Sequence, residues 1–418
     1  MIKRLKPKSE FSRNVLTLMT GTTIAQAIPI AITPILTRLY TPEDFGILAL
    51  FVAVTAILGS IANGRYELAI MLPEKDEDAI NVAALGLLIA LCFSTVLLIP
   101  AIFLNAQITN LLGNQEIGFW LYFAPFVVLM TGLFNVLNYL NTRKKLYKDI
   151  AKANVYKATA AASVQLGVGF IKAGATGLIT GQIISQVVAN YRLAKNTQQN
   201  YDLKQVKKTE IKRLAKRYID FPKFSMWAIL ANNLSNHLTS IFISISFSVS
   251  TLGFYSLAQK MLGFPSSLIG SAISQVFFKE ASDEKQRTGK VIVAFDKTLV
   301  KLVLLSIPIF SILMLIVEDL FALVFGEHWR VAGIYATYLI PMFAIRFIVA
   351  SVSPVDTVME KQNYFLYFNI TLLVVTLCVF LIAGSWEFES FLIAFSVSIM
   401  LVYLFYGFVL RKMAKNEF

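Results

Sequence analysis

Two opposite charges inside an apolar stretch, residues 45–72, are the side chains best placed to do chemistry. A charge at the centre of a membrane helix costs about 2.5–3.5 kcal/mol on insertion scales, so such residues usually face a polar cavity. We expect Arg65 to face an anionic group or an acidic residue of another helix, and Glu67 to bind a proton or cation. Residues two apart on a helix do not meet, so these two side chains pair only if the helix is distorted at Gly64, whereas Asn63 and Glu67 share a face. Alternatively, both charges extend to the membrane interface.

Two further basic residues also lie inside apolar spans. Arg346 lies in the interior of its span, at least nine residues from either end, and Lys260 is about eight residues into another. A fixed cation can compensate a phosphate that would otherwise be bare in low dielectric. We therefore predict that both residues face a cavity and bind an anion. The alternatives are a structural ion pair between Arg346 and Asp356, and extension of the Lys260 amine to the interface.

Uncharged polar residues recur at helical spacing on two apolar spans. Their amide and hydroxyl groups suit sugar hydroxyls, although polar residues between membrane helices are often packing contacts. We predict that Gln26, Asn232 and Asn236 are the members of these stripes that face the cavity. The stripes are Thr22, Gln26, Thr33 and Thr37 on the first, and Asn232, Asn236, Ser240 and Ser244 on the second.

The sequence lacks the residue patterns of an enzyme. The two histidines, His237 and His328, are far apart, and no metal-ligand spacing, phosphate-binding glycine loop or nucleophile motif is present. The two cysteines, Cys92 and Cys378, lie in apolar spans, which does not indicate a disulfide framework. We therefore predict no catalytic residue, no metal site and no cofactor.

Long apolar helices must position these side chains. Of the 418 residues, 56% are hydrophobic and only 15% are charged, whereas a soluble chain carries about 25% charged residues. Apolar runs of about 20 residues, the length that crosses a bilayer, recur along the chain. Because barrel strands would alternate and give weak local hydropathy, a β-barrel is disfavoured. We predict an all-α membrane protein with twelve transmembrane helices near 14–38, 46–72, 79–104, 117–141, 153–171, 175–195, 225–249, 252–277, 291–317, 332–355, 364–384 and 389–410.

The basic residues predict the orientation of these helices. The net charge is +13, and anionic lipid headgroups account for it better than nucleic acid, since the charges lie between spans. Most fall on one side, whereas only Arg38, Lys172 and Arg330 fall on the other, which predicts cytoplasmic termini. The cytoplasmic set is the N-terminal tail and the basic residues of 143–157, 192–223, 279–301 and 411–415.

One longer connection divides the chain into two halves. Its residues Val206, Ile211, Leu214 and Tyr218 approximate helical spacing among basic residues, which predicts a helix lying on an anionic leaflet. The predicted domains are therefore a six-helix lobe, a basic interfacial connection and a second six-helix lobe, at residues 1–195, 196–223 and 224–418.

The two halves look like repeats of one another. Residues 40–50 resemble 249–259, with Gly46 matching Gly253. Aligning Pro125 with Pro341 brings Lys145 onto Lys361 without a gap. Because six spans is an even number, the halves would be parallel repeats about an axis along the membrane normal, as in transporters with a central site.

Five stretches, in order along nearly the whole chain, resemble the polysaccharide biosynthesis, or oligosaccharide flippase, family. They are LTRLYTPEDFGILAL, RYELAIMLPEKDEDA, NTRKKLYKDIAKANV, LGFYSLAQKMLGFPSSLIGSAISQVFFKEA and VFGEHWRVAGIYATYLIPMFAIRFI. That family belongs to a superfamily with the multidrug exporters and lipid II flippases. The resemblance implies two six-helix lobes facing a central cavity that opens alternately to each side of the cytoplasmic membrane. The implied cargo is an undecaprenyl-diphosphate-linked oligosaccharide, and the implied partners are polysaccharide assembly proteins.

Two other functions stay open at this point. A cation-coupled exporter of organic cations would prefer an acidic, aromatic cavity, whereas Arg65, Lys260 and Arg346 favour an anionic cargo. A membrane enzyme of polysaccharide assembly would need a sizeable loop for its catalytic groups, and the outward loops are short. Lipid II flippases usually carry fourteen spans, two more than this sequence.

Overall fold

The computed structural model describes residues 10–171 and 174–417, and these residues form helices with no strands. The basic tail up to residue 9 and Lys172, both used to predict orientation, lie outside the described residues. The helices are α1 (Glu10–Leu39), α2 (Pro42–Ser60), α3 (Tyr66–Ala69), α4 (Asp76–Phe103), α5 (Asn105–Leu111), α6 (Ile117–Leu121), α7 (Ala124–Arg143), α8 (Tyr147–Ile171), α9 (Thr176–Asn200), α10 (Lys208–Arg217), α11 (Met226–Ser246), α12 (Val249–Pro265), α13 (Ser271–Thr288), α14 (Ile292–Phe325), α15 (Arg330–Val352), α16 (Val355–Val358), α17 (Gln362–Ala383) and α18 (Phe388–Lys415).

The prediction of an all-α membrane protein with twelve long helices is confirmed. A π-helical turn, Ser266–Gly270, joins α12 to α13, so these two helices form one span. Within the described residues, nine spans are long and apolar enough to cross a membrane by length and composition. The long helices outside that set are α8, α9 and α11, which carry more polar residues. All three line polar cavities, as shown below.

The chain divides by its internal contacts into two compact units, with the division between Asn233 and Leu234. This point lies inside α11, about ten residues after the predicted start of the second lobe. The connection at 196–223 groups with the N-terminal unit. We call the parts before and after the division the N-terminal and C-terminal units.

The same helix cap begins the second long helix of each unit. At α2, the Thr41 hydroxyl accepts from the backbone N–H of Asp44 (3.2 Å), and the Asp44 carboxylate accepts from the backbone N–H of Thr41 (2.8 Å). At α12, the Ser248 hydroxyl accepts from the backbone N–H of Thr251 (3.0 Å). Such caps satisfy N–H groups that the helix itself leaves free. Because Thr41 and Ser248 stand five residues before Gly46 and Gly253, the caps agree with the first predicted repeat pair.

A second shared turn corrects the other repeat pair by one residue. After α7, Lys145 has a positive φ of 57° and the Leu146 N–H donates to the Asn141 carbonyl. After α16, Glu360 has a positive φ of 59° and the Lys361 N–H donates to the Asp356 carbonyl. The match of Lys145 to Lys361 is therefore wrong, and Lys145 corresponds to Glu360.

The apolar face of α10 packs on the N-terminal unit rather than lying open to a lipid surface. Leu214 is fully buried in a cluster with residues of α3, α4 and α7. The Tyr66 hydroxyl donates to the Ala215 carbonyl (2.9 Å), and Arg213 pairs with Asp78 of α4 (2.7 Å). The Asn81 side chain accepts from the Lys207 N–H (2.8 Å). The sequence pattern predicts this helix correctly, but the apolar face of the helix covers other helices of the protein instead of lipid.

Candidate functional site

The apolar stretch that carries Arg65 and Glu67 is a broken helix. We predicted a continuous span over 46–72, but α2 ends at Ser60 and a turn precedes the short helix α3. Gly64 and Arg65 both have positive φ, 58° and 64°. For Arg65 this left-handed conformation costs about 1–2 kcal/mol, which glycine would not incur. The distortion at Gly64 therefore lets the two charged side chains meet, as residues two apart on a regular helix cannot.

Asn63 holds the break against two neighbouring helices. Its side-chain amide donates to the carbonyls of Gly86 on α4 and Gly132 on α7, both at 3.1 Å. A Cβ atom at Gly132 would lie 2.8 Å from Ala90 Cβ and 3.2 Å from Asn63 Nδ2, so only glycine allows this approach. The expectation that Asn63 and Glu67 share a helical face is wrong, because the intervening residues are not helical.

Arg65 and Glu67 form an ion pair inside this break. The distance between Arg65 Nη1 and Glu67 Oε1 is 3.1 Å, and the side chains are 22% and 2% exposed. Arg65 Nε and Glu67 Oε2 are buried and have no hydrogen-bond partner among the described residues. The acidic partner of Arg65 is thus its own near neighbour, not a residue of another helix. Glu67 keeps one oxygen free to bind a proton or a cation.

The C-terminal unit contains a small polar cavity of about 50 Å³. Five long helices, α11, α12, α15, α17 and α18, contribute to its walls. This volume has room for a few water molecules, at about 10–15 Å³ each. Any larger ligand therefore requires these helices to move. We call it the Arg346 cavity, and its polar lining is Ser235, Asn236, Thr239, Tyr255, Gln259, Arg346, Thr376 and Tyr403.

Arg346 supplies the positive charge of this cavity. Its guanidinium lies over the Phe343 ring, with Cζ 5.7 Å from the ring centroid, and it forms no ion pair with a described carboxylate. Asp356, the alternative ion-pair partner, is bonded elsewhere: it accepts from the Tyr406 hydroxyl at 3.1 Å and from the Thr357 hydroxyl at 2.9 Å. The guanidinium and the neighbouring amides and hydroxyls could together bind an anion with attached hydroxyl groups.

The predicted site residues do not all meet in one place. Asn236 lies with Arg346 in the Arg346 cavity, whereas Lys260 does not line it. Asn232 lies one turn before Asn236, in the part of α11 that groups with the N-terminal unit. Arg65 and Glu67 form the separate pair described above.

Gln26 lies in a second polar cavity, wholly within the N-terminal unit. Its volume is about 330 Å³, and α1, α8 and α9 form its walls. The positive charge there is Lys157, which the sequence pattern groups with the cytoplasmic basic residues of 143–157. The structure places it ten residues into α8. The signal that could have shown this was spacing, because a helix that starts near Tyr147 carries Lys157 well into the span. We call this the Lys157 cavity.

Sequence and fold comparisons now identify the family. The sequence profile of a family described as "Polysaccharide biosynthesis protein" matches residues 35–333. The chain belongs to this family. The resemblance stated from the sequence is therefore confirmed. A comparison with curated protein sequences gave no significant match.

Solved transporter structures share the fold of this family member. A structure described as the lipid II flippase MurJ, inward closed conformation, is similar with a TM-score of 0.69 and 12% identity over 97% of this chain and 90% of that one. An inward-facing multidrug resistance MATE family transporter of the MOP superfamily has a TM-score of 0.60 and 14% identity, covering 96% of each chain. A mutant form of the Vibrio cholerae MATE transporter VcmN has a TM-score of 0.61 and 12% identity over 97% and 96%. At these identities the likeness concerns the fold.

Proposed function

We propose that this protein is a flippase that moves undecaprenyl-diphosphate-linked oligosaccharides across the cytoplasmic membrane by alternating access. The transported units would supply the assembly of a surface polysaccharide, with polysaccharide assembly proteins as partners. Family membership and the transporter fold support a flippase or transporter role. The observation that carries the proposal is Arg346, a cation without an acidic partner among the described residues, in a cavity of amides and hydroxyls.

The chemistry of the Arg346 cavity fits a pyrophosphate with attached sugars. A guanidinium is always charged and presents a planar fork of donors that matches phosphate oxygens. The side chains of Asn236 and Gln259 can both donate to and accept from sugar hydroxyls. A carrier of organic cations would gain nothing from a fixed positive charge, and none of the described lining residues of either cavity is acidic.

Orientation in the membrane is part of the proposal. The basic residues concentrate at one side of the spans, which favours cytoplasmic termini in a cytoplasmic membrane. Several of these residues pair locally with acidic residues near helix ends, as Arg143 with Asp76 (3.0 Å) and Arg192 with Asp149 (2.7 Å). Others, such as Lys204 and Lys208 on the connection, have exposed side chains that suit an anionic leaflet.

We assign the coupling of transport to an ion gradient to Glu67. Net transport needs a bias, and the sequence has no nucleotide-binding motif. The Glu67 carboxylate is 2% exposed and has one oxygen without a partner among the described residues. A proton or cation that neutralises it would compete with Arg65 for the carboxylate. The state of this pair would then depend on the gradient across the membrane.

The test is transport of a labelled lipid-linked oligosaccharide by the purified protein in proteoliposomes. Transport is measured as the accessibility of the oligosaccharide headgroup from outside the vesicles. Arg346→Ala and Arg346→Glu should abolish transport, whereas Arg346→Lys should keep part of it, since the charge remains without the forked geometry. The control is Arg287→Glu, which changes an exposed arginine of the same unit. Wild-type transport by the Arg346→Glu variant would contradict the proposal, as would a wild-type protein that moves no lipid-linked sugar.

A further inference from the structure

The Lys157 cavity has the composition of a binding site that the proposed role of Arg346 does not use. Its volume of about 330 Å³ falls in the range of about 300–1,000 Å³ that is usual for small-molecule sites. Three long helices of one unit build it, namely α1 and the adjacent pair α8 and α9. Its polar lining is Thr22, Gln26, Asn154, Lys157, Gln182 and Ser185.

The charge of Lys157 is not neutralised by the described part of the protein. Its amine lies 4.9 Å from the centroid of the Phe134 ring and forms no ion pair with a described carboxylate. The nearest acid along the helix, Asp149, is paired with Arg192 at 2.7 Å. Lys157 is ten residues from the start of α8, or about 15 Å at 1.5 Å per residue. A cation held here suits an anionic ligand.

The neutral residues around Lys157 have free hydrogen-bonding capacity. The Thr22 hydroxyl donates to the Leu18 carbonyl (2.9 Å) and the Ser185 hydroxyl to the Gln182 carbonyl (2.7 Å), so both keep lone pairs that accept. The side-chain amides of Gln26 and Gln182 can donate and accept. Alternating donors and acceptors of this kind match the hydroxyl groups of a sugar.

The Lys157 cavity is not a copy of the Arg346 cavity. The shared turns that match Lys145 with Glu360 place Leu372 of α17 where α8 has Lys157. Arg346 of α15 likewise has no charged counterpart in α7, because the proline match places Met130 there and the turn match places Thr131 there. Each unit therefore carries one such cavity cation, on a different helix and among different polar groups. Two such sites are suited to different parts of a ligand or to different ligands.

We propose that the Lys157 cavity binds an anionic sugar, with Lys157 on the negative group and the amides and hydroxyls on the sugar hydroxyls. The inference rests on the proposed function and deepens it, because it makes an acidic or phosphorylated sugar part of the cargo. A carboxylate and a phosphate share this chemistry. The experiment separates them.

The experiment measures protection of a cysteine inside the cavity of the full-length protein in nanodiscs. Cys92 and Cys378 are first replaced by alanine, and Ala161→Cys then places a thiol one turn from Lys157 on the cavity wall. The thiol is modified with a negatively charged methanethiosulfonate in the presence of glucuronate, glucose 1-phosphate, glucose or inorganic phosphate. The rate is compared between the protein with Lys157 and the Lys157→Gln variant.

The expected result is protection by glucuronate, by glucose 1-phosphate or by both, and little protection by glucose or inorganic phosphate. Which of the two sugars protects identifies the anionic group. Lys157→Gln should weaken protection about tenfold, the change produced by ~1.4 kcal/mol, while Lys157→Arg should retain it. The exposed Lys152 of the same helix provides the control, and Lys152→Gln should leave protection unchanged.

Equal protection by glucose, protection that survives Lys157→Gln, or no protection by either charged sugar would overturn the inference. Because the measurement needs no transport, it is separate from the test of Arg346. If neither charged sugar protects the thiol but transport of a lipid-linked oligosaccharide still depends on Arg346, the sugar subsite is excluded and the flippase function stands. Loss of that transport activity would remove the flippase itself.

Discussion

The guanidinium of Arg65 contacts the carboxylate of Glu67 at 3.1 Å, although the two residues are only two positions apart. The contact exists because Gly64 and Arg65 adopt left-handed backbone conformations between α2 and α3. Arg65 has an unfavourable positive φ, and the Glu67 side chain that it contacts is only 2% exposed. The ion pair and the break therefore support each other, since the Glu67 carboxylate alone would be buried without compensation.

The first prediction concerns the stability of this pair. Arg65→Ala should lower the free energy of unfolding by about 1–3 kcal/mol, because it leaves the Glu67 carboxylate buried and unsatisfied. Glu67→Ala should also destabilise the protein, and the double variant should lose less than the sum of the two single changes. Thermal unfolding of the purified variants in one detergent measures this. Additive losses would show that the two side chains do not interact.

A second prediction concerns energy coupling. Glu67→Gln should uncouple lipid-linked sugar transport from an imposed pH or sodium gradient, because a neutral amide cannot gain or lose a proton. Glu67→Asp should weaken the response. Glu77→Gln is the matched control, since that exposed carboxylate makes no ion pair within the described part of the chain. If wild-type transport ignores both gradients and the membrane potential, or if the Glu67→Gln variant responds like wild type, Glu67 is not the coupling residue.

Two glycines of the N-terminal unit should respond in opposite directions to the same substitution. A Cβ atom at Gly132 would lie 2.8 Å from Ala90 Cβ, whereas at Gly167 of α8 it would meet nothing within 4 Å. Gly132→Ala should lower the melting temperature, since overpacking costs about 1–3 kcal/mol. Gly167→Ala should raise it slightly, because alanine stabilises a helix by about 0.5–1 kcal/mol over glycine. A melting temperature of the Gly132→Ala variant at or above the wild-type value would exclude close packing at Gly132.

Much of this fold could be predicted because long apolar runs report helices directly. The caps of α2 and α12, seen in the structure, agree with the sequence match of Gly46 to Gly253. The break at residues 61–65 did not follow, because Arg65 adopts a conformation that local preference disfavours. The contacts that stabilise it, those of Asn63 with Gly86 and Gly132, join residues that are distant in sequence.

The candidate site was less predictable, for a related reason. Arg346 stood out as a charge in the middle of a long apolar run, and the structure places it in a cavity. Lys157 belongs to a dense basic region, where composition alone does not separate a loop lysine from one inside a helix. The apolar face of α10 predicted a burial surface, but hydrophobic spacing does not distinguish lipid from a neighbouring helix such as α4.

The last prediction concerns whether α8 and α9 cross the membrane. These helices fall outside the nine spans that length and composition identify within the described residues, yet both line the Lys157 cavity. If their polar residues are polar because they face that cavity, the two helices should still form a transmembrane hairpin. Reporter fusions after Asn196 and after Met413 should then read as cytoplasmic, and a fusion after Ala175, just before α9, should read as external. A cytoplasmic signal at Ala175 would mean that α8 and α9 do not span, and an external signal at Asn196 or Met413 would contradict the predicted orientation.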